Sequence, residues 1–193
     1  MVPSTVTADT FTRAVAELRS VQPRREITVS ELSAPRGLAP FSYALGATVG
    51  PPARAGRDVA DSEEVATGRL VLLYDPDGQP GWQGTMRLVS YVTAEVEPDL
   101  AADTLLPEVS WSWLVDALDS HQAGYAALAG TVTQTTSTRF GDLAGPPPAA
   151  DVEIRASWTP TPHSGLGLHL QAWCALLASA AGLPPPGVSA LRP

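Results

Sequence analysis

The chain of 193 residues contains no lysine and no asparagine, and it has one cysteine, Cys174. All twelve basic residues are arginines, against twenty acidic residues, and the net charge is -8. A single cysteine forms neither an internal disulfide nor a thiolate metal site, which favours a cytoplasmic location. No basic run is longer than Arg24–Arg25. We therefore expect neither nucleic acid nor a membrane surface as a partner.

Long hydrophobic runs are also missing. The N-terminal stretch MVPSTVTADTFTRAVAELR lacks the apolar core of a signal peptide. The most apolar stretch, residues 166–183, contains His169 and Gln171 among many small residues, so a packed helix is predicted rather than a membrane span. With 44% hydrophobic and 17% charged residues, the composition is that of one globular domain.

The apolar pattern predicts both helices and strands. A helical period is present in three segments, residues 8–21, 106–118 and 166–181. Alternation predicts six strands, at residues 26–32, 41–49, 67–74, 85–97, 125–140 and 152–158. The third and fourth strands are joined by the turn-rich DPDGQPGWQG, which predicts a hairpin.

This element order, α-β-β-β-β-α-β-β-α, does not repeat the βαβ unit of a Rossmann fold. It predicts an α+β fold, with an antiparallel sheet of about six strands and helices packed on one face. We expect one domain over residues 8–183, with flexible tails at 1–7 and 184–193. Residues 50–65 are rich in glycine, proline and acidic residues without periodicity, which predicts a mobile loop.

The residues offer little for catalysis or metal binding. No G-x-S-x-G elbow and no phosphate-binding glycine loop is present. Ser157 and Ser164 are near His163 in sequence, but His163 is interpreted as a polar loop residue. His169 and Cys174 are five residues apart, which places them about 140° apart on a helix and argues against a shared metal. His169 is interpreted as a polar group on a helix face and Cys174 as a small buried hydrophobe. No catalytic residue, metal or cofactor is predicted.

Four residues are the candidates for binding. Arg139 and Asp142 follow a threonine-rich strand, where an arginine fork can hold a carboxylate or phosphate. The alternative for this pair is an ion pair that only stabilises the turn. Trp82 is next to glycines at a hairpin tip, where it is either an exposed interface residue or folded back onto the sheet edge. Trp111 is likewise either a residue of the core or a residue that lines a groove.

Two functions follow from these observations. The favoured one is a non-catalytic binding or interaction module, with a homodimer as one possibility, that presents a sheet face or a groove to a protein segment or a small ligand. The alternative is an enzyme of unrecognised type with its site around Arg139 and Asp142. A deep pocket with convergent polar groups would favour the enzyme, and a shallow patch would favour the module.

Several stretches together resemble a known family. They are LAPFSYALGA, ATGRLVLLYDPDGQPGWQGTMRLVSYV, LLPEVSWSWLVDAL, GTVTQTTSTRFGD and IRASWTP. They are similar to the actinobacterial proteins grouped as domain of unknown function 3000, over about residues 10–187. The resemblance implies a bacterial source with a GC-rich genome, in keeping with the missing lysine and asparagine. It implies no activity, cofactor or catalytic residue.

Overall fold

The computed structural model describes residues 5–50, 64–143 and 149–185. The helices are α1 (Thr5–Arg19), α2 (Pro98–Ala101), α3 (Leu106–Ser120) and α4 (Leu166–Ala180). The strands are β1 (Ile27–Leu32), β2 (Phe41–Val49), β3 (Ala66–Tyr74), β4 (Met86–Val96), β5 (Tyr125–Ser137) and β6 (Ala149–Pro160).

The elements occur in the predicted order, with some differences in their bounds. The fifth strand ends at Ser137 rather than at residue 140, and the sixth extends over Ala149–Pro160 rather than 152–158. The short helix α2 and a 3-10 turn at Gly141–Leu143 are additional elements. The first helix begins at Thr5, within the segment predicted as a tail. The mobile loop predicted at 50–65 lies outside the described residues except at its two ends, as do residues 1–4 and 186–193 of the predicted tails.

The six strands form one sheet in the order β1-β2-β3-β4-β6-β5, and every neighbouring pair is antiparallel. This confirms the predicted α+β fold and the predicted hairpin between β3 and β4. The last hairpin is folded so that β6 lies between β4 and the edge strand β5. Arg69, Tyr91, Arg155 and Thr131 are consequently aligned in one row across β3, β4, β6 and β5.

The helices cover one face of the sheet, because alternate strand residues on that face are apolar and join a single core with the helices. Two tryptophans are fully buried there, Trp158 of β6 and Trp173 of α4. The Trp173 indole donates to Ser90 Oγ at 3.0 Å. A Cβ at Gly68 would lie 2.7 Å from the Trp173 ring, so the missing side chain allows α4 to approach β3.

The opposite face of the sheet carries no helix within the described ranges. At one corner Ala44, Val71 and Leu73 form a small second cluster that Trp82 partly covers. Across β4, β6 and β5 the face remains open, and Val89 and Tyr91 are each 37% exposed. No helix in the described part of the chain combines the length and apolarity needed to cross a membrane.

Candidate functional site

A buried histidine connects α4 to β6. His169 has no exposed surface, and each of its ring nitrogens has a partner. The Trp158 indole N–H donates to His169 Nδ1 at 3.0 Å, and His169 Nε2 lies 2.9 Å from Ser164 Oγ. An indole nitrogen only donates, so Nδ1 is the accepting nitrogen and Nε2 carries the proton. His169 therefore donates to the Ser164 hydroxyl.

This direction is the reverse of what nucleophilic catalysis requires, because a general base must accept the proton of the serine. Burial lowers the pKa of His169 to about 4, which keeps the ring neutral at pH 7. One interpretation is corrected here: His169 is a fully buried residue rather than a polar group on the helix face, because Trp158 and Ser164 satisfy both ring nitrogens. The histidine that is hydrogen-bonded to Ser164 is His169, while His163 is exposed in the loop before α4, as interpreted.

Cys174 is buried on the same helix, and burial raises the pKa of its thiol to about 12. It is therefore protonated at neutral pH and behaves as a small hydrophobe, in agreement with its interpretation from the sequence. Within the ranges that the structure describes, no three His, Cys, Asp or Glu side chains are grouped so that they could hold a metal ion.

The open face of the sheet carries a shallow groove of about 290 Å³ that crosses β4, β6 and β5. Its lining combines apolar, aromatic, hydroxyl and cationic groups, from Val89, Tyr91, Ala129, Thr131, Arg155 and Ser157 among others. Alternation places these side chains on the same face of three adjacent strands. The groove is therefore built by sheet register, on rigid elements, rather than by loops.

Two residues that line this groove, Arg155 and Tyr91, are joined through Glu153. The Arg155 guanidinium lies 5.5 Å from the centre of the Tyr91 ring and donates to Glu153 at 2.7 Å. The Tyr91 hydroxyl donates to the other Glu153 oxygen at 2.8 Å. That hydrogen bond to Glu153 is the main cause that raises the pKa of Tyr91. The positive charge of Arg155 is thus already balanced by Glu153.

Arg87 lies on the same face of the sheet, and its charge is not balanced in this way. It is 8% exposed, and its guanidinium donates to Ser157 Oγ at 2.7 Å and to Thr159 Oγ1 at 3.2 Å. The Thr159 hydroxyl donates in turn to the Trp82 carbonyl oxygen. Burial alone lowers the pKa of Arg87. Arg87 is consequently a buried cation that is held by hydroxyl groups.

A second groove, of about 590 Å³, runs along α1 and is lined by Phe11, Val15, Arg19 and Tyr43 among others. Arg19 is paired there with Glu31 at 2.7 Å and lies 5.4 Å from the centre of the Tyr43 ring. The Tyr43 hydroxyl is buried beside this ion pair, and burial is the main cause that raises the pKa of Tyr43. Arg19 is paired here with Glu31, as Arg155 of the open-face groove is paired with Glu153. The two grooves differ because Arg87, which has no carboxylate partner among the described residues, lies next to the open-face groove through Ser157.

The four residues predicted for binding are not brought together at one place. Trp82 is half-buried on the small cluster of the open face, next to the Thr159 end of β6. Arg139 and Asp142 are exposed near the other end of β6, where Ser137 pairs with Ala149. About ten residues of extended strand, roughly 30 Å, separate these two ends.

Trp111 packs on the opposite, helix-covered face. A Cβ at Gly130 would lie 2.7 Å from its ring, so Trp111 closes the contact between α3 and β5. Neither Arg139 nor Asp142 lines either groove. A binding role for each of the four residues, and an enzyme site around Arg139 and Asp142, stay predictions.

Neither Arg87 nor Arg155 is predicted from the sequence as a binding residue. Alternation along β4 does place Arg87 and Tyr91 on one face, and that is the signal that was available. It does not show that this face stays open, nor that β6 brings Arg155 and Ser157 alongside β4. Those two facts decide which polar side chains converge.

These features define the class of protein: an α+β domain with a six-stranded antiparallel sheet, helices on one face and a groove on the other. The chain belongs to the family of proteins of unknown function DUF3000, whose model matches residues 7–189. This confirms the resemblance, while an actinobacterial origin and a cytoplasmic location stay predictions. A comparison with curated proteins and one with solved structures each found no match.

Proposed function

We propose that the protein is a non-catalytic interaction module that pairs with a second copy of itself along the edge strand β5. The observation that carries this proposal is the chemistry of that edge. β5 runs for 13 residues and contains no charged residue and no proline. Natural edge strands are kept short, charged or interrupted, since their unpaired N–H and C=O groups otherwise pair with another chain.

The other edge of the sheet is protected in the usual ways. β1 has six residues, and it carries Glu31, which is paired with Arg19 of α1. β5 is interrupted only near its start, by a bulge between Ala126 and Ala129. From Ala129 to Ser137 its pairing with β6 is regular, and most of its side chains are exposed. Of the two edges, β5 is therefore the one that offers a template to another strand.

A second copy suits this template because the exposed row of β5 is self-complementary. In a two-fold antiparallel pair centred on Thr133, that residue faces its own copy and Thr131 faces Thr135 of the partner. Threonine pairs across antiparallel strands are favourable, and residues near a two-fold axis repel when they are charged. The chain has a net charge of -8, but none of this charge lies on β5.

The test is the molar mass of the purified protein over a series of concentrations, measured by light scattering and by sedimentation. We expect a species of twice the 20.1 kDa chain mass to increase with concentration. Thr133→Lys places two like charges at the centre of the pair and should shift the equilibrium to the monomer. Thr28→Lys is the matched control, because Thr28 is an exposed threonine on the other edge strand.

A chain that stays monomeric throughout the series would overturn the proposal. So would a dimer that survives Thr133→Lys and is lost in Thr28→Lys, since the pairing would then run through β1. Circular dichroism of both variants establishes that the lysine has not unfolded the sheet. Heavier open-ended aggregates in place of a dimer would also contradict a closed two-fold pair.

A further inference from the structure

We propose that the open face of the sheet holds a site for a small organic monocarboxylate, at the junction of Arg87, Ser157 and the groove beside Val89. The carboxylate would pair with the Arg87 guanidinium, and a short apolar body would lie in the groove. This site belongs to the single chain, and it does not depend on pairing along β5.

The positive charge of Arg87 is not balanced by a carboxylate of the described residues. No carboxylate of the described residues lies within ion-pair distance of its guanidinium. Its partners are two neutral hydroxyls, from Ser157 and Thr159. A cation that is buried without a counter-charge is costly, and an anion bound beside it removes part of that cost. The site is therefore prepared for one negative charge.

The Arg87 guanidinium has more N–H donors than the Ser157 and Thr159 hydroxyls accept. A guanidinium has five N–H groups, and two of those on Arg87 are used. Ser157 Oγ accepts from Arg87, which leaves the Ser157 O–H to donate. The fork and this hydroxyl together suit a carboxylate.

The charge and the volume of the site determine which class of ligand it suits. Arg155 is balanced by Glu153, so the local excess is the single charge of Arg87. A monoanion matches this excess, whereas a phosphate dianion would add negative charge to a chain whose net charge is already -8. The groove that continues from Ser157 is walled by Val89, Ala129 and the Tyr91 ring. Its volume of about 290 Å³ accepts a body of a few carbon atoms.

The experiment compares butyrate with butyramide, which has the same shape without the charge, at constant ionic strength set with sodium chloride. Binding to the purified full chain is followed by ligand-observed NMR and by thermal denaturation. We expect butyrate to bind saturably and to raise the Tm, and butyramide to do neither. Arg87→Met should abolish the effect. Ser157→Ala, which removes one hydrogen bond, should weaken the affinity about five- to tenfold.

Arg69→Met is the matched control, because Arg69 is an exposed arginine on the same face of the sheet. It should leave butyrate binding unchanged. Equal responses to butyrate and butyramide would overturn the proposal, as would unchanged binding in Arg87→Met. Tighter saturable binding of inorganic phosphate would overturn the assignment to a carboxylate. Should Arg87→Met not fold, Ser157→Ala decides: an unchanged affinity there contradicts the site.

Discussion

Acidification below pH 6.5 should destabilise the protein through His169. His169 is fully buried, with its Nδ1 held by the Trp158 indole and its Nε2 by Ser164. A proton added to His169 Nδ1 would point at the Trp158 indole N–H, so that two donors would face each other. It would also bury a positive charge. Protonation of His169 is therefore strongly coupled to unfolding.

The magnitude follows from the two pKa values. Burial lowers the pKa of His169 from its ordinary value of 6.5 to about 4. The unfolded chain binds the proton more readily, so the contribution is full above pH 6.5 and is lost as the pH falls toward 4. Integrated between pH 7.5 and pH 5, the free energy of unfolding should fall by about 2 kcal/mol. Glu26 and Glu31, whose pKa values are lowered, lose their contributions only below this window.

Urea denaturation at several pH values measures this loss directly. The decisive comparison is with His169→Gln, which cannot titrate and should show a flat profile between pH 5 and pH 7.5. That variant should be less stable than the wild type at pH 7.5, because its hydrogen bonds to Trp158 and Ser164 are imperfect. His163→Gln is the matched control, since His163 is exposed in the loop before α4 and should keep the wild-type slope.

Equal losses of free energy over this window in wild type and His169→Gln would contradict this role of His169. So would a profile that is flattened by His163→Gln and not by His169→Gln. The result also bears on catalysis, since a histidine that titrates near pH 4 and donates to serine is not a base at neutral pH.

Two substitutions test the packing of the helices on the sheet. Gly130→Ala should cost about 3 kcal/mol in the free energy of unfolding, because the new Cβ meets the Arg155 carbonyl and the Trp111 ring. Gly50→Ala should be near neutral, because no atom of the described residues lies within 4 Å of its Cβ. Ser90→Ala should cost about 1–3 kcal/mol because it leaves the buried Trp173 indole without an acceptor. Urea denaturation measures both, and a neutral result in either would contradict the contact.

Side-chain alternation predicts much of the fold, because residues two apart along a strand lie on the same face of the sheet. A short stretch of sequence therefore shows which face of the strand is apolar. Along β4, Leu88 and Val92 are buried while Tyr91 faces the open side, as their spacing indicates. The β3–β4 hairpin is equally readable, since its turn residues lie between the two strands they connect. Such local signals are sufficient for the elements and for their inward faces.

The candidate site was not predictable in the same way, because its contacts join distant parts of the chain. Arg87 and Ser157 are 70 residues apart, and they meet only because β6 inserts between β4 and β5. The local sequence around Arg87 and around Ser157 does not predict this strand order. His169 shows the same limit at shorter range, since a polar residue on an apolar helix is buried or exposed according to its partners. Those partners, Trp158 and Ser164, come from the strand and the turn before α4.

Thr133, at the centre of the proposed pairing, lies outside the ligand groove, which reaches β5 only at residues 129–131, and the two properties are therefore separable. The pairing edge is β5, while Arg87 lies on β4, two strands away, at a distance of about 10 Å. A second copy beside β5 extends the sheet without covering Arg87. Thr133→Lys should therefore abolish the dimer and leave butyrate binding intact, and Arg87→Met should do the opposite. If one substitution removed both properties, the ligand would have to bind across the seam between two chains.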